Sequence, residues 1–344
     1  MIDFNENKIP RSISVIEPKT FRCCVKLPHM DFHESITLVG RGAFRFCKSL
    51  KKVHIPGAHI DAWAFSDCER LEYAEIGNAV TTIGEGAFHY CKMLETIKLA
   101  LSRITIIGYK TFYACDRLKE IQIPNSVVSI DEQAFQFCEN LTTVTIPPNS
   151  VVDIRAGAFS SCKKLRGITL PDGLKTIDDV AFNECESIED IEIPHTVKDI
   201  GLAAFRSCKN LRKFVIKGIP KQNDDPDIAH EPKVLRAEVI NTDTFFLCDN
   251  IKTFEIPNGV KHIKIQAFRS CYSLKTLYIP DCVEEIEKGA FMNCEPFSPI
   301  YNKGGPYAQK WAEYFGIMEQ PKGAMVAIAN FLKRRYWWIV CKIR

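Results

Sequence analysis

Residues 127–147 read VVSIDEQAFQFCENLTTVTIP, and this stretch decides the architecture. Its apolar positions are Val127, Ile130, Ala134, Phe135, Cys138, Leu141, Val144 and Ile146, and Pro147 closes it. The final L-x-x-V-x-I alternates as a strand with one buried face does. Pro ends that strand because it has no N–H to give a neighbouring ladder. The central A-F-x-x-C-x-x-L spaces its apolar residues three apart, which suits a short helical or 3₁₀ turn. The opening V-x-x-I reads as a second, shorter extended piece.

The unit recurs along the chain. Val197, Ile200, Ala204, Phe205, Cys208, Leu211, Phe214 and Ile216 repeat it. A Phe stands three residues before a Cys twelve times, from Phe21/Cys24 to Phe291/Cys294. Successive cysteines lie 23, 21, 23, 24, 23, 24, 23, 23, 40, 23 and 23 residues apart. One such unit cannot bury so many apolar side chains by itself, but stacked units share a continuous core. The expected fold is therefore a repeat solenoid of about twelve ~23-residue coils with a β-strand in each coil.

The boundaries follow from the pattern. Residues 1–15 read as an N-terminal cap or irregular start, 16–294 as the solenoid, 295–320 as a closing segment and 321–344 as a tail. The 40-residue interval is an ordinary coil carrying an insert at 217–236, whose Pro220, Asn223, Asp224, Asp225, Pro226 and Pro232 have a loop composition. In the closing segment Tyr307, Trp311, Tyr314 and Phe315 follow Gly304-Gly305-Pro306 at near-helical spacing, which predicts a helix covering the last coil. The first thirty residues do not read as a secretory leader, which sets a cytoplasmic expectation.

Of the 45 basic residues six lie in the tail, which has no acidic one; the remainder, 39, face 42 acidic groups. In the tail, Lys333, Arg334 and Arg335 separate two short apolar runs and sit beside Trp337 and Trp338. Neither run is long enough to span a bilayer, but rings beside a basic cluster suit an anionic membrane surface. Cys341-Lys342-Ile343-Arg344 partly has the layout of a prenylation box, with Arg a poor terminal residue for it. Further end-cap or a disordered tail is the competing expectation.

No catalytic constellation emerges: H-E-x-x-H, C-x-x-C, the phosphate-binding G-x-x-x-x-G-K-[ST] and G-x-S-x-G are all missing. The expectation is a non-enzymatic protein without a cofactor. His29, His33 and Glu34, and the Asp224, Asp225, Asp227 group, read as solvated loops before metal sites. The repeat cysteines read as reduced core thiols, with disulfide pairing or metal binding as alternatives.

The candidate binding residues are those pointing outward from the strands. His54, Glu75, Lys98, Gln122, Thr145, Thr169, Glu192, Glu255 and Tyr278 stand between the inward apolar positions, and Tyr73 and Glu120 flank them. This mixed polar face is too weakly basic for nucleic acid. It suits a protein partner held by a few anchors such as Tyr73 or Tyr278. A monomeric scaffold is expected, with peripheral membrane attachment through the tail as the alternative.

The unit resembles the BspA-type leucine-rich repeat: Ala-Phe, then Cys, then Leu, then I-x-I-P, over roughly residues 16–294. Residues 305–317 are similar to the segment that often closes such arrays. The resemblance implies a β-lined solenoid with interaction roles, commonly in cell-surface adhesion or host contact. The regular Asn ladder of other leucine-rich repeats is absent, with Ala79, Ser126, Asn149, Thr196 and Gly259 in its place.

Overall fold

The computed structural model describes residues 9–99, 103–148, 150–217, 237–294, 298–301 and 305–315. Two compact units result, 1–300 and 301–344. The first is a stack of coils, most of them contributing a longer strand, a shorter strand and a turn segment; at Ile83 the shorter strand is reduced to a single bridge to Ile60. Every coil runs the same way round, so successive copies of a strand pair in parallel. Glu120–Gln122 pairs with Thr143–Thr145, which pairs with Gly167–Ile168. On a second face Ile106–Ile107, Ser129–Ile130, Asp153–Ile154, Thr176–Ile177 and Asp199–Ile200 form one parallel ribbon. Both extended pieces expected in the unit are strands.

Inside and outside alternate as the pattern requires. In Lys52–Ile55 the second and fourth residues are buried and the others exposed. The repeat phenylalanines form one unbroken column from Phe21 to Phe291. Neighbouring ring centroids along it lie 4.8–5.9 Å apart. The widest step, Phe205 to Phe245, crosses the coil that carries the insert. Phe214 and Phe254 pack edge-on against that stretch of the column, at 4.8–5.7 Å.

The turn segment is where local expectation fails. Its residues do make the i→i−3 hydrogen bonds of a 3₁₀ turn: Ala134, Gln136 and Cys138 N–H donate to Asp131, Gln133 and Phe135 carbonyls at 3.1–3.2 Å. The segment is nevertheless not a helix, because two residues in every coil, two before and two after the Phe, take left-handed backbone angles. Gln133 has φ 57° and Phe137 φ 63°, and the same two positions are left-handed around Phe88, Phe182 and Phe268. Each reversal turns alternate N–H groups along the stack. Gln133, Phe135 and Phe137 donate to the Ala156, Ala158 and Ser160 carbonyls of the next coil at 2.8–3.0 Å. A left-handed non-glycine residue costs of order 1–3 kcal/mol. Three inter-coil hydrogen bonds in this turn, and two or three in its counterparts, hold the chain there regardless.

Ser126 and Thr196 perform part of the missing Asn ladder's task. Their hydroxyls donate to the carbonyls of Ile104 (2.7 Å) and of Asp172 or Leu174 (2.6–2.7 Å) in the preceding coil. In the second unit the segment expected to be helical is a helix, Ala308–Tyr314. The tail, with Lys333, Arg334, Arg335, Trp337 and Trp338, lies outside the described residues, as do 218–236 of the insert. Among the described residues no helix is long and apolar enough to cross a membrane.

Candidate partner-binding site

The parallel register brings several sequence-predicted residues side by side on the longer-strand face. Asp31, His54, Glu75 and Lys98 form one column, and Lys52, Tyr73 and Thr96 the next. Across these columns the Tyr73 hydroxyl donates to Glu75 Oε2 at 2.7 Å, and Lys98 Nζ stands 5.6 Å from the centre of the Tyr73 ring. The Tyr73 hydrogen bond, aided by the charges of Lys98 and His54, lowers the Glu75 carboxyl below its ordinary range. Tyr73 and Glu75 likewise raise the Lys98 ammonium. Tyr73, Glu75 and Lys98 form a preassembled polar cluster with an aromatic ring at its centre, and His54 borders it.

The other predicted positions share the face at a distance. Glu120 is in register with Thr143, Gln122 with Thr145, Glu192 with Val215, and Glu255 with Tyr278. Thr169 is exposed just beyond its short strand. Tyr278 and Val215 are 42% and 41% exposed, so the far end of the face presents apolar surface too.

The repeat cysteines have a task that spacing did not disclose. Each thiol from Cys47 to Cys294 donates to the carbonyl of the Phe one coil back, for example Cys138 Sγ to Phe112 O (3.1 Å) and Cys208 Sγ to Phe182 O (3.2 Å). Eleven such contacts form a ladder, and each carbonyl they meet also accepts the N–H of its own coil's Cys. Burial raises the thiols of the interior coils, Cys68 to Cys248, and Cys208 is pushed up to about 12, whereas hydrogen bonds with the neighbouring thiol lower Cys47 and Cys294 at the two ends. His29 lies exposed at the start of its strand, and His33 Nε2 meets the Pro10 carbonyl at 3.2 Å, which requires a proton on that nitrogen. Among the described residues no three His, Cys, Asp or Glu side chains are placed to hold a metal ion.

Sequence reasoning missed an aromatic row on the turn face. Trp63, His89, Tyr90, Tyr113 and Phe137 follow one another with ring centroids 4.6–5.7 Å apart. Gly86 makes room for it: its φ is +58°, and a Cβ there would overlap the Trp63 ring. The available signal was aromatic residues one and two places after the repeat Phe in three consecutive coils.

Comparison with known proteins agrees with this geometry. The family model for the BspA type leucine rich repeat region matches residues 2–119, 105–222 and 236–303. A leucine-rich repeat protein from Bacteroides ovatus ATCC 8483 has a similar structure: TM-score 0.65, 22% identity, 86% of this chain and 83% of that one covered. The pneumococcal vaccine antigen PcpA is similar at TM-score 0.50 and 16% identity, over 86% of this chain and 78% of its own. No curated protein matches the sequence. With the match running through nearly every coil, the chain belongs to the BspA-type leucine-rich repeat family.

Proposed function

We propose that the protein is a non-enzymatic scaffold that binds a protein partner through its longer-strand face, in an adhesion or contact role. The observation that carries this reading is the Tyr73–Glu75–Lys98 cluster beside His54. Interface energy concentrates in a few aromatic and charged anchors surrounded by near-neutral contacts. Here a Tyr ring is held by a hydrogen bond from its hydroxyl and by a cation beside its face, so less side-chain entropy is lost on binding. Tyr278 offers a second aromatic anchor on the same face, with polar residues between.

Site-directed photo-crosslinking in cells that make the protein tests the reading. Probes replacing Thr145 and Glu192 on the strand face are expected to capture one common protein, whereas a probe at exposed Glu132 on the turn side does not. Adding Tyr73→Ala with Lys98→Glu should abolish that capture. Capture that is equal from both sides, or indifferent to the double substitution, would remove the strand face as the binding surface.

A further inference from the structure

The turn face carries a groove of about 450 Å³ whose lining includes Tyr90, Lys92, Tyr113, Asp116, Phe137 and Glu139. Nothing in the strand-face reading uses it. Tyr90 and Phe137 are 36% and 37% exposed, so each offers part of its apolar surface to solvent. Phe137 stands at 78° to Tyr113, so the groove presents rings in two orientations. Behind it, His89 packs against Tyr90 (4.6 Å) and Tyr113 (5.1 Å). Burial lowers the His89 imidazole to about 4, and its Nδ1 is enclosed without a hydrogen-bond partner. The ring is therefore neutral at ordinary pH and supports the groove without charging it.

We propose that this groove binds a neutral linear oligosaccharide, with apolar pyranose faces on the Tyr90 and Phe137 rings and sugar hydroxyls donating to Asp116 and Glu139. The charges select this occupant. Of the residues lining it, Lys92 is the one cation against the two carboxylates of Asp116 and Glu139; outside the lining, Lys163 Nζ lies 2.7 Å from Glu139 Oε1 and Lys110 Nζ 5.1 Å from the centre of the Tyr113 ring. A nucleic acid needs net positive charge for its phosphates, and the lining itself supplies none. A proline-rich peptide also docks on aromatic grooves, but it displays carbonyl acceptors and few N–H groups. Carboxylates only accept hydrogen bonds, so Asp116 and Glu139 match hydroxyl donors and mismatch such a peptide. Burial raises the Asp116 carboxyl, and a hydroxyl hydrogen bond would supply stabilisation that water now provides incompletely. Half-exposed rings with a few placed polar groups are the composition of a small-ligand site.

Calorimetric titration of the full chain with cellohexaose, chitohexaose and mannohexaose, and with decaproline, tests the proposal. Saturable binding of at least one hexasaccharide is expected, weakened about tenfold or more by Phe137→Ala or Tyr90→Ala through lost ring contact. Asp116→Asn should weaken it severalfold, and Tyr278→Ala on the strand face should leave it unchanged. Both ring substitutions remove exposed side chains, and an unchanged unfolding midpoint would verify that the fold is retained. The proposal is overturned if no hexasaccharide binds, if Phe137→Ala and Tyr90→Ala bind as the parent does, or if decaproline alone occupies the groove. Because the groove and the strand cluster are separate, loss of sugar binding and loss of partner capture are distinguishable failures.

Discussion

At the residue scale, a repeat position is defined by what it meets one coil away. Phe182 lies between Phe159 (5.5 Å) and Phe205 (5.4 Å) and is fully buried. Truncation removes its own transfer energy and leaves a cavity that rings on both sides cannot fill. Phe182→Ala is expected to destabilise by about 3–5 kcal/mol. Thr169→Ala, on the exposed strand face, should cost less than about 0.5 kcal/mol. Urea midpoints decide it, and equal midpoints would refute the division into inside and outside. The Cys position follows the same logic. Its sulfur fills an apolar slot, and its proton gives the Phe carbonyl of the preceding coil a second donor.

At the element scale, the turn segment maintains register where the chain leaves the stack. Across the insert Ala203, Phe205 and Ser207 N–H donate to Thr242, Thr244 and Phe246 carbonyls at 2.7–3.0 Å. The Asn241 side-chain amide also donates to the Ile200 carbonyl at 2.7 Å. Stacking therefore passes from the Phe205 coil to the Phe245 coil independently of what the insert does. Deleting residues 219–234 leaves a connection close to that of other coils. Loop length itself contributes little, about 0.6 kcal/mol per doubling. The shortened protein is expected to keep its circular dichroism spectrum and a single unfolding transition within about 1 kcal/mol of the parent. Loss of that transition would show that the insert is a packed structural element.

At the scale of the whole molecule, the thiol ladder makes stability depend on alkaline pH. Burial is the leading cause of the raised values at Cys68, Cys91, Cys115, Cys138, Cys162, Cys185, Cys208 and Cys248. A group whose folded pKa lies above its unfolded one stabilises fully below the unfolded value, about 8.5 for a thiol. That contribution is lost as pH rises from there towards the folded value, about 12 at Cys208. Linkage assigns on the order of 1–2 kcal/mol per core thiol by about pH 10. Summed along the stack, the loss is expected to unfold the protein, kept reduced, between about pH 9 and about pH 10.5. Thiolate absorbance should appear together with unfolding. A midpoint constant over that range, or thiolate forming in the folded protein, would contradict the ladder.

The solenoid, its period and the alternation of inward and outward residues along the strands were legible in the sequence. Burial in a solenoid is repeated at one spacing, so every coil states the same rule again, and Val127 to Pro147 suffices to read the others. The polar strand columns were legible for the same reason, down to Tyr73 and Glu75 lying one column apart. The structure alone decided features that depend on residues one coil away. Gln133, Phe137 and Glu184 carry no local signal for left-handed backbone; the carbonyls of the next coil place them there. The A-F-x-x-C spacing looked like a 3₁₀ turn because the i→i−3 bonds are real, while the alternate N–H groups that point along the stack were invisible. The proton acceptor of each Cys is some 26 residues back in most coils, and the walls of the aromatic groove come from three coils. Hydrophobic periodicity reports which side chains leave water, whereas hydrogen-bond direction and ring placement are set only when one coil lies on the next.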